Sequence, residues 1–395
     1  MDHLEIAVPS WASVFEQFPG VPIFFVISGY LVSASFERSG NVAAYFQNRF
    51  LRIYPGLWMC IILTVLVASS FGYNFIHLSA LTWLPAQMAG LIYTPSFLAD
   101  FGFGSYNGSL WTIPIELQFY CVLPLVYLLV RQKSSSNHIF FVLLGAFVAI
   151  ALLAGLYAPN MGLAAETHSE KIFRYTFVPH FYMFLAGLVL QRTQAYRSRL
   201  IFGKGFYWIA AYLLFCYLVP ESAWSLVASR LVLAVCTVSL AYTLPGIAEN
   251  ILKGNDISYG VYIYHGLILN IMVSLHLLHS TGFLAAVAAG SYLAGYLSWV
   301  LVERRFLRSK RQKLMMLGEP ASEPSAASDP ALGGGSISAP PLGAQLAGRA
   351  AAAAVAPIVP DGALTEIAAV GLLPDEIDEH PSADGLGKPP GGGLV

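Results

Sequence analysis

The stretch 107–126, NGSLWTIPIELQFYCVLPLV, decides how this chain is read. A turn signal, Asn107-Gly108-Ser109, leads into Pro114, which sits early in a helix where its missing N–H is tolerated. Apolar residues then continue to Val130, about the length a helix needs to cross a bilayer. Glu116 stands at the mouth of that run. A carboxylate at membrane depth is costly and is usually retained for function. With Thr112 as the cap, Glu116 falls in the first helical turn, where the helix dipole favours a negative charge. The structural alternative is a glutamate buried against an arginine. Trp111 and Tyr120 read as interfacial aromatic anchors.

Composition extends this reading to the whole chain. Of 395 residues, 56% are hydrophobic and 11% charged, and mean hydropathy is +0.64. These values specify an all-α, polytopic transmembrane bundle. A formal net charge of −1 gives no general attraction to nucleic acid. The four cysteines, Cys60, Cys121, Cys216 and Cys236, lie in apolar runs without the spacing of a disulfide framework or a zinc site, and read as small core hydrophobes.

Apolar runs of spanning length occur near 20–37, 55–72, 113–130, 139–157, 174–191, 206–219, 224–245, 257–278 and 282–302, giving nine helices. Lys and Arg are retained on the cytoplasmic side of a membrane, and alternate connections hold nearly all of them. Arg38, Arg49 and Arg52 follow the first run, Arg131 and Lys133 the third, and Arg192, Arg197, Arg199 and Lys204 the fifth. Lys253 and the cluster Arg304 to Lys313 continue the series, while the opposite connections carry only Lys171 and Arg174. The segment 73–112 is therefore expected to face outward and the C-terminus to be cytoplasmic. Residues 1–19 then lie outside with no span before them, so the expectation is a first helix missing its upstream part, with His3 as its remnant. A short N-terminus crossing unaided is the alternative. Residues 1–313 form the membrane domain. Residues 314–395, rich in Ala, Pro and Gly, read as a disordered cytoplasmic tail. No internal repeat suggests the inverted halves of a transporter.

Several polar residues are candidates for chemistry. Ser28 and Gly29 interrupt an apolar helix and suit close helix approach or a local opening. Arg49 and Arg52, three apart, project from one helix face among Tyr45, Phe46, Phe50 and Tyr54. Such a stretch suits the headgroup layer; alternatively, paired guanidinium groups clamp the phosphates of a nucleotide-derived donor. His265 lies about 12 Å into its helix, either bonded to a neighbouring helix or positioned to move a proton. Asp256 reads as the N-cap of that helix, and Glu303 as a local ion-pair partner of Arg304 and Arg305.

In order, GVPIFFVISGYLV, NRFLRIYPGLW, NGSLWTIPIELQFY, DISYGVYIYHGLI and LSWVLVERRF cover residues 20 to 306. Together they resemble the acyltransferase-3 family of integral membrane acyltransferases. The resemblance implies a fold of ten transmembrane helices in a bacterial inner membrane. It implies transfer of an acyl group, usually acetyl, from cytoplasmic acyl-CoA to a hydroxyl of an extracytoplasmic glycan or lipid-linked sugar. Acyl-CoA is then a co-substrate, with no permanently bound cofactor and no metal. Members carry an arginine and a histidine about ten residues apart in the first helix. His3 fits the histidine by its distance to Gly20, and the matching arginine would precede Met1. By the resemblance His3 is the base that takes the proton of the acceptor hydroxyl, Glu116 orients that base or binds the sugar, and Arg49 and Arg52 contact the donor phosphates. Ser28, Trp111 and His265 occupy other motif positions. The same intramembrane charges suit a transporter or flippase of a polar sugar conjugate, and a non-catalytic membrane partner is a third reading.

Overall fold

The computed structural model describes residues 13–39, 41–131, 137–158, 160–162, 165–243, 255–277 and 282–306. His3 and the tail 314–395 lie outside the described residues. Among these, all regular structure is helical.

Each of the nine apolar runs contains a helix. After the short α1 (Ser13–Glu16) come α2 (Gly20–Ser39), α3 (Val42–Ser70), α4 (Leu78–Met88), α5 (Thr112–Arg131), α6 (His138–Tyr157), α7 (His168–Arg174) and α8 (Phe181–Arg192). They are followed by α9 (Gly205–Leu218), α10 (Ala223–Ala241), α11 (Ser258–Ser274) and α12 (Phe283–Ser298). Among the described residues, six helical stretches are long and apolar enough to cross a membrane, namely Val14–Ser39, Val42–Ser70, Gly108–Val130, His138–Tyr157, Ala223–Ala241 and Phe283–Phe306. The protein is an integral membrane protein. The other three runs make shorter helices: α8 has 12 residues, α9 has 14 and α11 has 17. In the run 174–191 the shortening has a local cause, since Tyr175 to His180 form turns rather than a helix.

Helix packing explains the small residues. Helix α2 packs most extensively on α8, and α11 on α12. A β-carbon on Gly29 would lie 1.9 Å from the Phe184 carbonyl oxygen, and one on Gly187 would lie 2.0 Å from that of Val26. The two backbones therefore touch, as the Ser28-Gly29 interruption led one to expect. Between lipid-embedded helices, where burial of apolar surface gives little drive to associate, such contact supplies packing energy. Gly29→Val should force the helices apart, at a cost of about 1–3 kcal/mol or more. The measurement is a melting curve of the purified variant in detergent, and an unchanged midpoint would contradict this packing.

The stretch around Arg49 is no separate surface helix, because it belongs to α3, whose 29 residues run unbroken through Pro55. The segment 73–112 is not an extended loop. It carries α4 and folds back along α3: Trp58 Nε1 donates to the Met88 carbonyl at 2.8 Å and the Tyr54 hydroxyl to that of Ala89 at 3.1 Å.

Outside the bundle, Thr167 and Glu170 form a reciprocal cap on α7. The Thr167 hydroxyl and backbone N–H hold the Glu170 carboxyl below its usual range. Its lowered folded-state pKa means that the cap contributes stability above the ordinary glutamate pKa and loses it as pH falls through the folded value.

The cysteines are not uniformly core residues. Cys60 and Cys236 are buried, whereas Cys121 is exposed and Cys216 intermediate. The apolar outer faces of α5 and α9 need no protein partner in lipid, so a cysteine is accommodated there.

Candidate active site

Glu116 is buried at 5% exposure. It is not at a helix start: a 3₁₀ turn, Gly108–Trp111, precedes α5, and its cap is Asn107, whose side chain accepts from Ser109 N–H. Thr112 is instead the first residue of α5, with its hydroxyl 2.7 Å from that of Tyr262. The dipole argument for Glu116 therefore gives way to specific partners. Its Oε1 accepts from Ser28 Oγ at 3.5 Å and from the Tyr120 hydroxyl. Its Oε2 is buried with no hydrogen-bond partner among the described residues. Tyr120 is no interfacial anchor, being 3% exposed. One helical turn after Glu116, it faces the same way.

Tyr120 also joins Glu116 to α3. The Arg49 guanidinium lies 5.6 Å over the Tyr120 ring, and the Tyr45 hydroxyl donates to the Tyr120 carbonyl at 3.2 Å. Arg49 donates from Nη2 to Ser35 Oγ at 3.1 Å, but its Nε is buried without a partner among the described residues. It has no carboxylate within ion-pair distance among them.

Arg52 differs sharply from Arg49. It pairs with Asp256 at 2.8 Å and with Glu303 at 3.4 Å, and it stacks at 5.6 Å over Tyr259. Glu303 is 1% exposed and accepts from Ser298 Oγ at 3.1 Å. Two sequence expectations are corrected here. Glu303 pairs with an arginine on another helix, because the π-helical turn Trp299–Glu303 turns its carboxylate into the bundle rather than toward Arg304 and Arg305. Asp256 does not cap α11, whose N-cap is Ile257 with no side-chain bond; its carboxylate is held by Arg52 and by Ser258 Oγ at 2.7 Å. The two arginines share a helix face but not a role. Arg52 is neutralised, and Arg49 is a half-buried cation whose Nε is buried with no hydrogen-bond partner among the described residues.

The other motif positions have partners of their own. Trp111 faces His180 at 5.8 Å and Tyr175 at 6.2 Å between ring centres. Arg174 lies 5.6 Å over the Trp111 ring and is held by Glu166 through bonds of 2.8 and 3.0 Å. His265 is buried, and its Nδ1 lies 2.5 Å from the Tyr262 carbonyl of its own helix. Tyr262 stacks on Phe24 at 4.8 Å.

Ser28, Glu116, Tyr120, Ser35 and Arg49 thus form one continuous polar track from α2 and α5 to α3, inside otherwise apolar helices. Sequence reasoning missed Tyr120 and Ser35. The i, i+4 spacing of Glu116 and Tyr120 was the available signal, whereas nothing local marks Ser35.

A family model described as an acyltransferase domain matches residues 3–303. The chain belongs to the acyltransferase-3 family. It is an acyltransferase. Nodulation protein 10 of Rhizobium leguminosarum bv. viciae is 29% identical over 72% of this chain and 81% of its own. An O-acetyl transferase of Shigella phage Sf6 is 28% identical over 76% of this chain and 89% of its own. The peptidoglycan O-acetyltransferase OatA of Listeria monocytogenes is 29% identical over 32% of this chain and 22% of its own. No solved structure matches.

Proposed function

We propose that the protein is a membrane O-acyltransferase that moves an acyl group, most simply acetyl, from cytoplasmic acyl-CoA to a hydroxyl of an extracytoplasmic glycan or lipid-linked sugar. The observation that carries this reading is a pair of buried polar atoms with no hydrogen-bond partner among the described residues, Arg49 Nε and Glu116 Oε2, on two side chains that both contact Tyr120. Buried groups of this kind are rarely left without partners, and a cation and a carboxylate left open on one track fit a donor phosphate and an acceptor hydroxyl. The names of the phage and Listeria relatives support acetyl transfer to oxygen. Their bacterial and phage sources support a bacterial inner membrane.

In this reading the alternation of basic connections puts Arg49 toward the cytoplasm, together with the C-terminus. The nine runs are spans. His3 accepts the proton of the acceptor hydroxyl as its oxygen attacks the thioester carbonyl; the carbon–sulfur bond breaks, and the CoA thiolate takes up a proton on release. Glu116 holds the base or the sugar in place. Arg49 contacts the donor phosphates, and Arg52 serves the same end by supporting the α3 turn next to it.

The test is transfer of label from radioactive acetyl-CoA to surface polysaccharide in membranes that contain the protein. Label in the polysaccharide that is lost with His3→Ala is the expected result. Sugar-conjugate translocation that needs no acyl-CoA would replace this reading with a flippase.

A further inference from the structure

We infer that residues 71–107 form a re-entrant hairpin whose exposed apolar face is seated among lipid acyl chains, and that this segment is not a water-exposed loop. The inference does not rest on the acyl-transfer chemistry. Its first support is depth. The hairpin tip at Met88–Ala89 is hydrogen-bonded to Trp58 and Tyr54, and Tyr54 lies about 24 Å along the helix axis from Ser70, where α3 ends. A return of that length is too deep for a headgroup layer, since the hydrocarbon core is about 30 Å across. The tip also reaches α5, because a β-carbon on Gly90 would be 2.7 Å from Leu117 Cδ1, one residue from Glu116.

The second support is charge. From Ile53 through Ala99 there is no Asp, Glu, Lys or Arg. Ile76, Leu78, Leu81, Leu91 and Tyr93 are exposed, as are Ile62 and Leu66 of the spanning helix α3. A solvated loop has no reason to keep such a face free of charge.

The third support is how the backbone is satisfied. Non-helical backbone at membrane depth must find its hydrogen bonds within the protein. Gln87 is fully buried and does this for the turn: its Nε2 donates to the Leu91 carbonyl at 3.0 Å, and its Oε1 accepts from Tyr93 N–H at 3.3 Å and from the Tyr106 hydroxyl at 2.7 Å. Trp83 Nε1 donates to the Tyr93 carbonyl at 3.1 Å. Water would satisfy the same groups in an exposed turn without a buried glutamine.

Two measurements test this on the full-length protein in lipid nanodiscs. Leu81→Cys should react with a polar, membrane-impermeant maleimide about ten times more slowly than Asp100→Cys, read by peptide mass spectrometry, and the two rates should converge after denaturation. Hydroxyl-radical footprinting of the unsubstituted protein should leave Leu78 and Tyr93 as protected as Leu66, and well below Phe202 in the basic connection between α8 and α9. Equal labelling at 81 and 100 in nanodiscs, or oxidation of Tyr93 at the level of Phe202, would overturn the inference.

Discussion

Glu116→Gln should lower acetyl transfer by about two to four orders of magnitude, the range over which a positioned proton-handling group acts, while leaving the fold intact. The side-chain shape is unchanged, and the amide oxygen still accepts from Ser28 Oγ and the Tyr120 hydroxyl, as Oε1 does now. What is lost is the negative charge and the acceptor at Oε2, the atom without a partner among the described residues. Replacing an acceptor by an NH₂ there sets donor against donor for an imidazole N–H and removes the acceptor for a sugar hydroxyl's proton. The pair of readings that matters is transfer rate against melting temperature. A slow enzyme with an unchanged midpoint supports a role in positioning substrate or base, whereas full activity would remove Glu116 from the site. Tyr120→Phe is a milder companion, expected to cost about tenfold, since it removes one charge-assisted hydrogen bond and leaves the carboxylate.

The helical membrane fold was legible because apolar run length is a local quantity. Each of the nine runs contains a helix, and Ser28-Gly29 announced a close helix contact that Gly29 and Gly187 make. Partners distant in sequence were not legible. Glu303 has two arginines immediately after it, yet it pairs with Arg52 across the bundle, a choice set by a π-helical turn that leaves no trace in hydrophobic periodicity. Asp256 looked like a cap for the same reason: capping is judged from neighbours, and its partner is 204 positions earlier. The return of 73–112 along α3 left no local sign, because its contacts, Trp58 with Met88 and Tyr54 with Ala89, join residues 30 and 35 positions apart. For the active centre, the sequence supplied Ser28, Glu116 and Arg49 as separate points. Their union depends on Tyr120, whose aromatic ring suggested an interface rather than a link.

The two arginines of α3 should separate cleanly in experiment. Arg49→Ala removes a cation that balances no carboxylate within ion-pair distance among the described residues, so the loss should appear in donor binding: KM for acetyl-CoA rises by about 10- to 150-fold, the worth of a hydrogen bond to a charged group. Melting temperature changes little. Arg49→Lys recovers part of the effect, since it restores the charge but not the planar fork suited to phosphate. Arg52→Ala leaves Asp256 and the buried Glu303 facing each other's charge without their shared cation. Breaking a buried pair by removing one partner costs about 3–5 kcal/mol, so this variant should unfold earlier and yield little protein. Combining it with Glu303→Gln should recover much of that loss, because the stranded charge is then gone. The crossed comparison gives the test its force. If Arg52→Ala instead keeps full stability and raises only KM, both guanidinium groups contact the donor, and the division of labour argued from the two salt bridges is wrong.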